Sequence, residues 1–143
     1  MGKIADLLRA PGGGVDLGAI DPRSKPGFSG KKADAKKIQP TQAERIATLQ
    51  EQLYAEGRSG RSSSVLLVLQ GMDTSGKGGT VRHVVGQCDP SGLHVATFGR
   101  PTPEELEHDF LWRIRRQLPK PGKIGVFDRS HYEDVLGFAS GLV

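Results

Sequence analysis

Residues 65–80, VLLVLQGMDTSGKGGT, decide the fold. Val65–Gln70 is an apolar run of strand length, which predicts a strand buried on both faces, as in a parallel sheet. Gly71–Gly79 is a glycine-rich loop, and a helix is predicted from about Lys77 to Gln87. Within the loop, Gly71-Met-Asp-Thr-Ser-Gly76-Lys77 satisfies the spacing G-x-x-x-x-G-K. Glycine at both ends lets the backbone wrap a phosphate and aim its N–H groups inward. Lys77 reaches the outer phosphates as a point charge. The helix that starts there turns the positive end of its dipole to the anion. A strand before the loop and a helix after it supply the setting of a P-loop, with Gly71, Met72, Asp73, Thr74, Ser75, Gly76, Lys77, Gly78, Gly79 and Thr80 as the candidate phosphate-binding residues. A tight turn without function is the competing reading.

The motif departs from the common pattern after the lysine. The usual Ser or Thr is Gly78, and the next hydroxyl is Thr80, so the standard magnesium ligand is missing or displaced. Asp73 lies inside the loop, where a carboxylate repels phosphate unless a cation sits between them. It therefore reads as a magnesium ligand or as a group steering the attacking phosphate, against the plainer reading of a turn-forming Asp.

Downstream, residues 94–98, HVATF, predict a second short strand. Thr102, Pro103 and Glu105 mark a helix start, with Leu106, Phe110, Ile114 and Leu118 at every fourth position as its apolar face. Ile124–Asp128 is a third strand that ends in a carboxylate, the Walker B arrangement. In such a fold this strand lies near the first, bringing Asp128 close to the loop. Arg129 is then placed to neutralise a transferring phosphoryl group; a surface salt bridge is its plainer reading. Asp73, Lys77, Asp128 and Arg129 are the candidate catalytic residues, and Asp73 and Asp128 the candidate metal ligands. The four histidines, His83, His94, His108 and His131, lack metal-ligand spacing. Phe110 and Trp112 read as core, and Cys88 as a buried small hydrophobe.

Upstream, residues 1–40 are rich in Gly, Pro, Lys and Asp without sustained period, an expected extended basic arm before a domain over 41–143. A helix is expected from Thr41, with a Thr41–Glu44 capping box, a face of Ile46, Leu49, Leu53 and Tyr54, and Gly57 as its left-handed cap. Alternation of helix and strand then implies an α/β fold with a parallel sheet.

The whole chain has 143 residues, 36% hydrophobic and 25% charged, a single cysteine and a formal charge of +4. That is one globular domain in length, without a disulfide framework or an intrachain cysteine zinc site. No apolar run approaches the ~20 residues that span a bilayer, and the N-terminus lacks a signal-peptide pattern, so no membrane association and a cytoplasmic location are expected. The basic charge suits a polyanion. With 6% aromatic residues, not interleaved with the basic clusters, a nucleic-acid surface is not expected.

LLVLQGMDTSGKGGTVRHVVG resembles the Walker A region of the polyphosphate kinase 2 family, including Asp73 and the Gly78-Gly79-Thr80 variation. PTPEELEHDFLWRIRRQLPKPGKIGVFDRSHYEDVL resembles the stretch that runs into its Walker B, and IDPRSKPGF also matches. The resemblance spans roughly residues 19–136. It implies a three-layer α/β/α P-loop kinase fold, here incomplete, with Mg2+ as cofactor and transfer of phosphoryl groups between polyphosphate and AMP or ADP, yielding ADP or ATP. By the same resemblance, Asp73 and Asp128 hold magnesium, Lys77 binds phosphates and Arg129 stabilises transfer. A motif like SHYEDVL usually continues into VVRVH; here GFASGLV follows, and the family's lid helices lie beyond that point. The expectation is a chain truncated relative to its family and weakly active alone. Another P-loop small-molecule kinase and a non-catalytic phosphate-binding remnant are the alternatives. A homo-oligomer is compatible with the sequence.

Overall fold

The computed structural model describes residues 3–72 and 74–135; Asp73 and the stretch GFASGLV lie outside the described residues. The chain divides into two compact units, with the boundary between Pro40 and Thr41. In the first, α1 (Lys3–Leu8) precedes a 3-10 turn at Leu17–Ala19, where the Asp16 side chain accepts the Gly18 N–H. Lys25 Nζ donates to Gly30 O at 2.7 Å and sits 6.0 Å from the Phe28 ring. The expected extended arm thus contains helix. Correspondingly, α2 (Lys32–Arg58) starts at Lys32 and not at Thr41. Asp34 accepts the Lys31 N–H at 2.9 Å and supplies the helix start. Ala33, Ala35, Lys36 and Lys37, good helix formers, carry the helix up to Pro40, which is accommodated inside it.

The second unit is built on three parallel strands, β1 (Val65–Leu69), β2 (Leu93–Thr97) and β3 (Ile124–Asp128), in the order β1-β3-β2. Leu69 and Thr97 both stand in register with Asp128. The parallel sheet expected from the helix–strand alternation is present, and the strand assigned to residues 94–98 begins one residue earlier. The burial expected for β1 belongs to β3. Val126 and Phe127 are fully buried, whereas Val65, Leu66 and Val68 are exposed. The reason is position: β3 has a strand on each side, and β1 has one strand neighbour among the described residues. Ala96, Phe98, Ile114 and Phe127 form the core, with Phe98 set edge-on to Phe127 at 4.8 Å between ring centres.

The periodic stretch after β2 is not one helix. It breaks into α4 (Pro103–Leu106) and α5 (Trp112–Arg116). α4 opens with the expected Thr102–Glu105 capping box. Asp109 then ends the run, because its side chain accepts the Leu111 N–H at 3.0 Å and its carbonyl the Trp112 N–H at 2.8 Å. The every-fourth-residue face dissolves accordingly: Ile114 is buried, Leu106, Phe110 and Leu118 are exposed, and Trp112 is half-buried. Phe110 is therefore not a core residue. The helix after the glycine loop is shorter than expected too; α3 (Lys77–His83) gives way to a 3-10 turn at Val85–Gln87.

Gly57 lies inside α2 and does not cap it; the positive φ falls at Gly60, at 89°. What Gly57 supplies is proximity, since a Cβ there would sit 2.4 Å from the Gly122 Cα. Gly122, at φ 80°, donates its N–H to Ser63 O at 2.8 Å and closes the turn into β3. Gly57→Ala would gain up to about 1 kcal/mol of helix propensity and force backbone apart at a cost of about 1–3 kcal/mol. The clash is with main chain, so it dominates. Chemical denaturation is expected to show a net loss of about 1–2 kcal/mol.

Candidate functional site

The glycine loop is held open by backbone that L-residues seldom adopt. Gly76 has φ 97° and Thr74 φ 66°, and Ser75 N–H donates to Met72 O at 3.2 Å. The non-glycine Thr74 in the left-handed region marks a conformation imposed by its surroundings. Lys77 opens α3 and folds back over the loop, donating from Nζ to Gly71 O at 2.6 Å and Met72 O at 2.9 Å. The ammonium is thus tethered at the mouth of the loop.

Register brings the second half of the site to the first. Because Leu69 faces Asp128, the last residue of β3 lies beside the loop that leaves β1. Arg129 N–H donates to Leu69 O at 3.0 Å, and Phe98 N–H to Asp128 O at 3.1 Å, so the main chain at the tip of β3 is held from both neighbouring strands. Thr74, Ser75, Gly76, Lys77, Gly78, Gly79, Asp128 and Arg129 line one cleft of about 430 Å³. Of the sequence-derived candidates, Lys77, Asp128 and Arg129 therefore converge. Gly71 and Met72 contribute carbonyls that hold Lys77 and do not line the cleft. Thr80 turns its hydroxyl back to Gly76 O at 3.3 Å. Asp73 lies outside the described residues.

Two features of the Asp128–Arg129 pair mark it as more than a strand end. Asp128 Oδ1 is buried with no hydrogen-bond partner among the described residues. A buried lone acceptor carries a desolvation cost of about 1–3 kcal/mol, and a hard cation is one group that relieves it. Arg129 is the other non-glycine residue at positive φ, 68°. Its guanidinium pairs with Glu133 Oε1 at 2.5 Å, and Gln70 Nε2 donates to Glu133 Oε2 at 2.7 Å. Ser130, 1% exposed, donates to Gln70 Oε1 at 3.3 Å. Gln70, Ser130 and Glu133 form a support that sequence reading missed; Gln70 read as the tail of an apolar strand, and nothing in the spacing ties it to residue 133.

The remaining candidates stand apart from the cleft. His94 Nε2 is 3.0 Å from Gln117 Oε1, and His108 stacks on Trp112 at 4.0 Å. His131 lies against Tyr132, at 4.3 Å between ring centres. Among the described residues no group of three or more His, Cys, Asp or Glu is placed to hold a metal ion. Cys88 is half-buried, and burial pushes its thiol above the ordinary range. No helix among the described residues is long and apolar enough to cross a membrane.

A family model for polyphosphate kinase 2 (PPK2) matches residues 29–138. An AMP/ADP-polyphosphate phosphotransferase of Meiothermus ruber is 46% identical over 126 residues, covering 88% of this chain and 46% of that protein. An ADP-polyphosphate phosphotransferase of Rhodopseudomonas palustris is also 46% identical, over 85% of this chain and 40% of that protein. The chain thus spans less than half the length of these relatives. The crystal structure of polyphosphate kinase 2 from Arthrobacter aurescens TC1 superposes with a TM-score of 0.90 at 51% identity, covering 97% of this chain and 49% of that one. With the glycine loop, the Asp128–Arg129 corner and the parallel sheet that joins them, these matches show that the chain belongs to the polyphosphate kinase 2 family.

Proposed function

We propose that this chain carries the phosphate-gripping half of a magnesium-dependent polyphosphate:nucleotide phosphotransferase, with polyphosphate and AMP or ADP as its substrates, working in the cytoplasm. The observation that carries the reading is the single cleft into which Lys77, Asp128 and Arg129 converge beside the glycine loop. Loop N–H groups cradle the phosphate chain, and Lys77 exchanges its two carbonyl contacts for phosphate oxygens. Arg129, braced by Glu133, faces charge that builds on the transferring group. The nucleotide's terminal phosphate oxygen attacks the end phosphorus of polyphosphate, and the shortened chain leaves with the bond electrons.

The donor set suits Mg2+. Asp128 would hold it through the buried, unpartnered Oδ1, with Asp73 as the second carboxylate that the sequence offers. When bound, the ion supplies charge neutralisation between phosphate oxygens. Thr80 donates its hydroxyl hydrogen to Gly76 O, which leaves the oxygen lone pairs as a further hard donor two positions past the usual one.

The test is ATP formation from ADP. A slow signal that requires both polyphosphate and magnesium is expected from the chain, falling about 100-fold in Asp128→Asn, the loss of about 2.7 kcal/mol of charge stabilisation. A signal that persists without polyphosphate, or undiminished in Asp128→Asn, overturns the reading.

A further inference from the structure

Arg113 is 6% exposed, the most deeply buried cation among the described residues. A guanidinium is held in such a place only by dedicated partners, and its partners come from three directions. Nη1 donates to Gly99 O at 2.8 Å, in the segment leaving β2. Nη2 pairs with Asp134 Oδ2 at 2.8 Å, in the segment leaving β3. Glu105 Oε2 of α4 lies 3.7 Å from Nη1. The guanidinium carbon also sits 5.6 Å from the centre of the Phe98 ring.

Two of these contacts lead to the cleft. Asp134 is the neighbour of Glu133 in the helical turn at residues 132–135. Consecutive residues of a helical turn point about 100° apart, which lets Glu133 reach Arg129 and Gln70 while Asp134 reaches Arg113. Phe98, below the guanidinium, donates its N–H to the Asp128 carbonyl. Arg113 therefore grips both the turn that carries Glu133, a partner of Arg129, and the residue bonded to the main chain of Asp128. Arg129 needs such a hold. Its left-handed backbone costs about 1–2 kcal/mol, and nothing local to an Asp-Arg-Ser sequence favours it.

We infer that Arg113 is a positioning residue for the phosphate site, setting the placement of Arg129 through the Asp134–Glu133 turn. The inference rests on the phosphate-transfer reading above. The two short contacts are made by two nitrogens of one rigid fork, a geometry that lysine does not reproduce. The chemistry served is a polyanionic phosphate chain, and the role is separable from fold support by coupling.

The test is calorimetric titration of the 143-residue chain with inorganic tripolyphosphate and magnesium, in a double-mutant cycle with thermal melting alongside. Arg113→Lys is expected to weaken tripolyphosphate about 10-fold in the otherwise unchanged chain and less than about twofold in the Arg129→Gln background, a coupling of ordinary size for residues in one network. Asp134→Asn, which keeps Arg113 and removes the link, is expected to reproduce the loss and the coupling. Equal losses in both backgrounds would mean that Arg113 supports only the fold, and an unchanged affinity would mean that it supports nothing at the site; each overturns the inference. Should Arg113→Lys fail to melt cooperatively, Asp134→Asn decides alone, and unchanged affinity there is fatal. An unmutated chain that takes up no tripolyphosphate overturns the phosphate-site reading itself, and this inference with it.

Discussion

Lys77→Ala is expected to lower the affinity for magnesium tripolyphosphate about 100-fold and to leave the melting temperature within a few degrees of the unmutated chain. The two halves of that result have separate causes. The ammonium is the cation built into the glycine loop, and its contacts in the free chain are two carbonyls, Gly71 O and Met72 O. Charge-assisted hydrogen bonds contribute about 1.5–3 kcal/mol each, so losing the contacts to a phosphate chain amounts to about two powers of ten. The fold has little at stake. Met72 is 85% exposed, and water takes over the freed carbonyls. The loop shape is held independently by the Ser75–Met72 and Thr80–Gly76 bonds. Calorimetry on both proteins measures the first half and thermal melting the second. Equal affinities would remove the phosphate-binding assignment, whereas a collapse in melting temperature would make Lys77 a structural residue.

The parts of the molecule legible in the sequence are those in which local chemistry and final position coincide. The strand before Gly71 and the helix that opens at Lys77 were legible because glycines, lysine and the flanking apolar run are all local signals of one structure. The place of Asp128 beside the loop was legible because a carboxylate at the end of an apolar strand needs only the strand order to arrive there, and β1 pairs with β3. Reading failed where a local polar capture overrode periodicity, and where the outcome depended on partners far along the chain. The repeat of Leu106, Phe110, Ile114 and Leu118 has helical spacing, yet Asp109 captures two N–H groups and breaks the run. Gly57 looks like a helix cap, and its requirement comes from Gly122, far along the sequence. Arg129 was found as a charge next to Asp128, while a group that braces it, Glu133 tied to Gln70, was invisible because no pattern links the end of β1 with the turn after β3.

A second large effect follows from the exposure of the loop that lines the described cleft. Assayed with ADP, magnesium and polyphosphate, this 143-residue chain is expected to form ATP at least about 1000-fold more slowly than the same chain joined to the second half of the Arthrobacter aurescens polyphosphate kinase 2, of which it covers 49%. Phosphoryl transfer rests on positioning and on neutralising charge spread over the transferring oxygens, with little covalent work by the protein. Lys77 and Arg129 are the two cations that line the described cleft. Thr74, Ser75, Gly76, Gly78 and Gly79 are exposed, so water reaches the loop and screens both. A single arginine contact to the transition state contributes about 10³-fold, so closing the cleft with further cations easily reaches the expected ratio. Stability offers a rival explanation, because Val65, Leu66 and Val68 of β1 expose apolar surface. Melting curves on both proteins separate the two causes: a short chain that melts cooperatively above the assay temperature and still turns over slowly lacks catalytic groups rather than fold. If the short chain matches the extended one in turnover, then the cage around the phosphates closes with residues of this half alone, and the outer wall is not needed for chemistry.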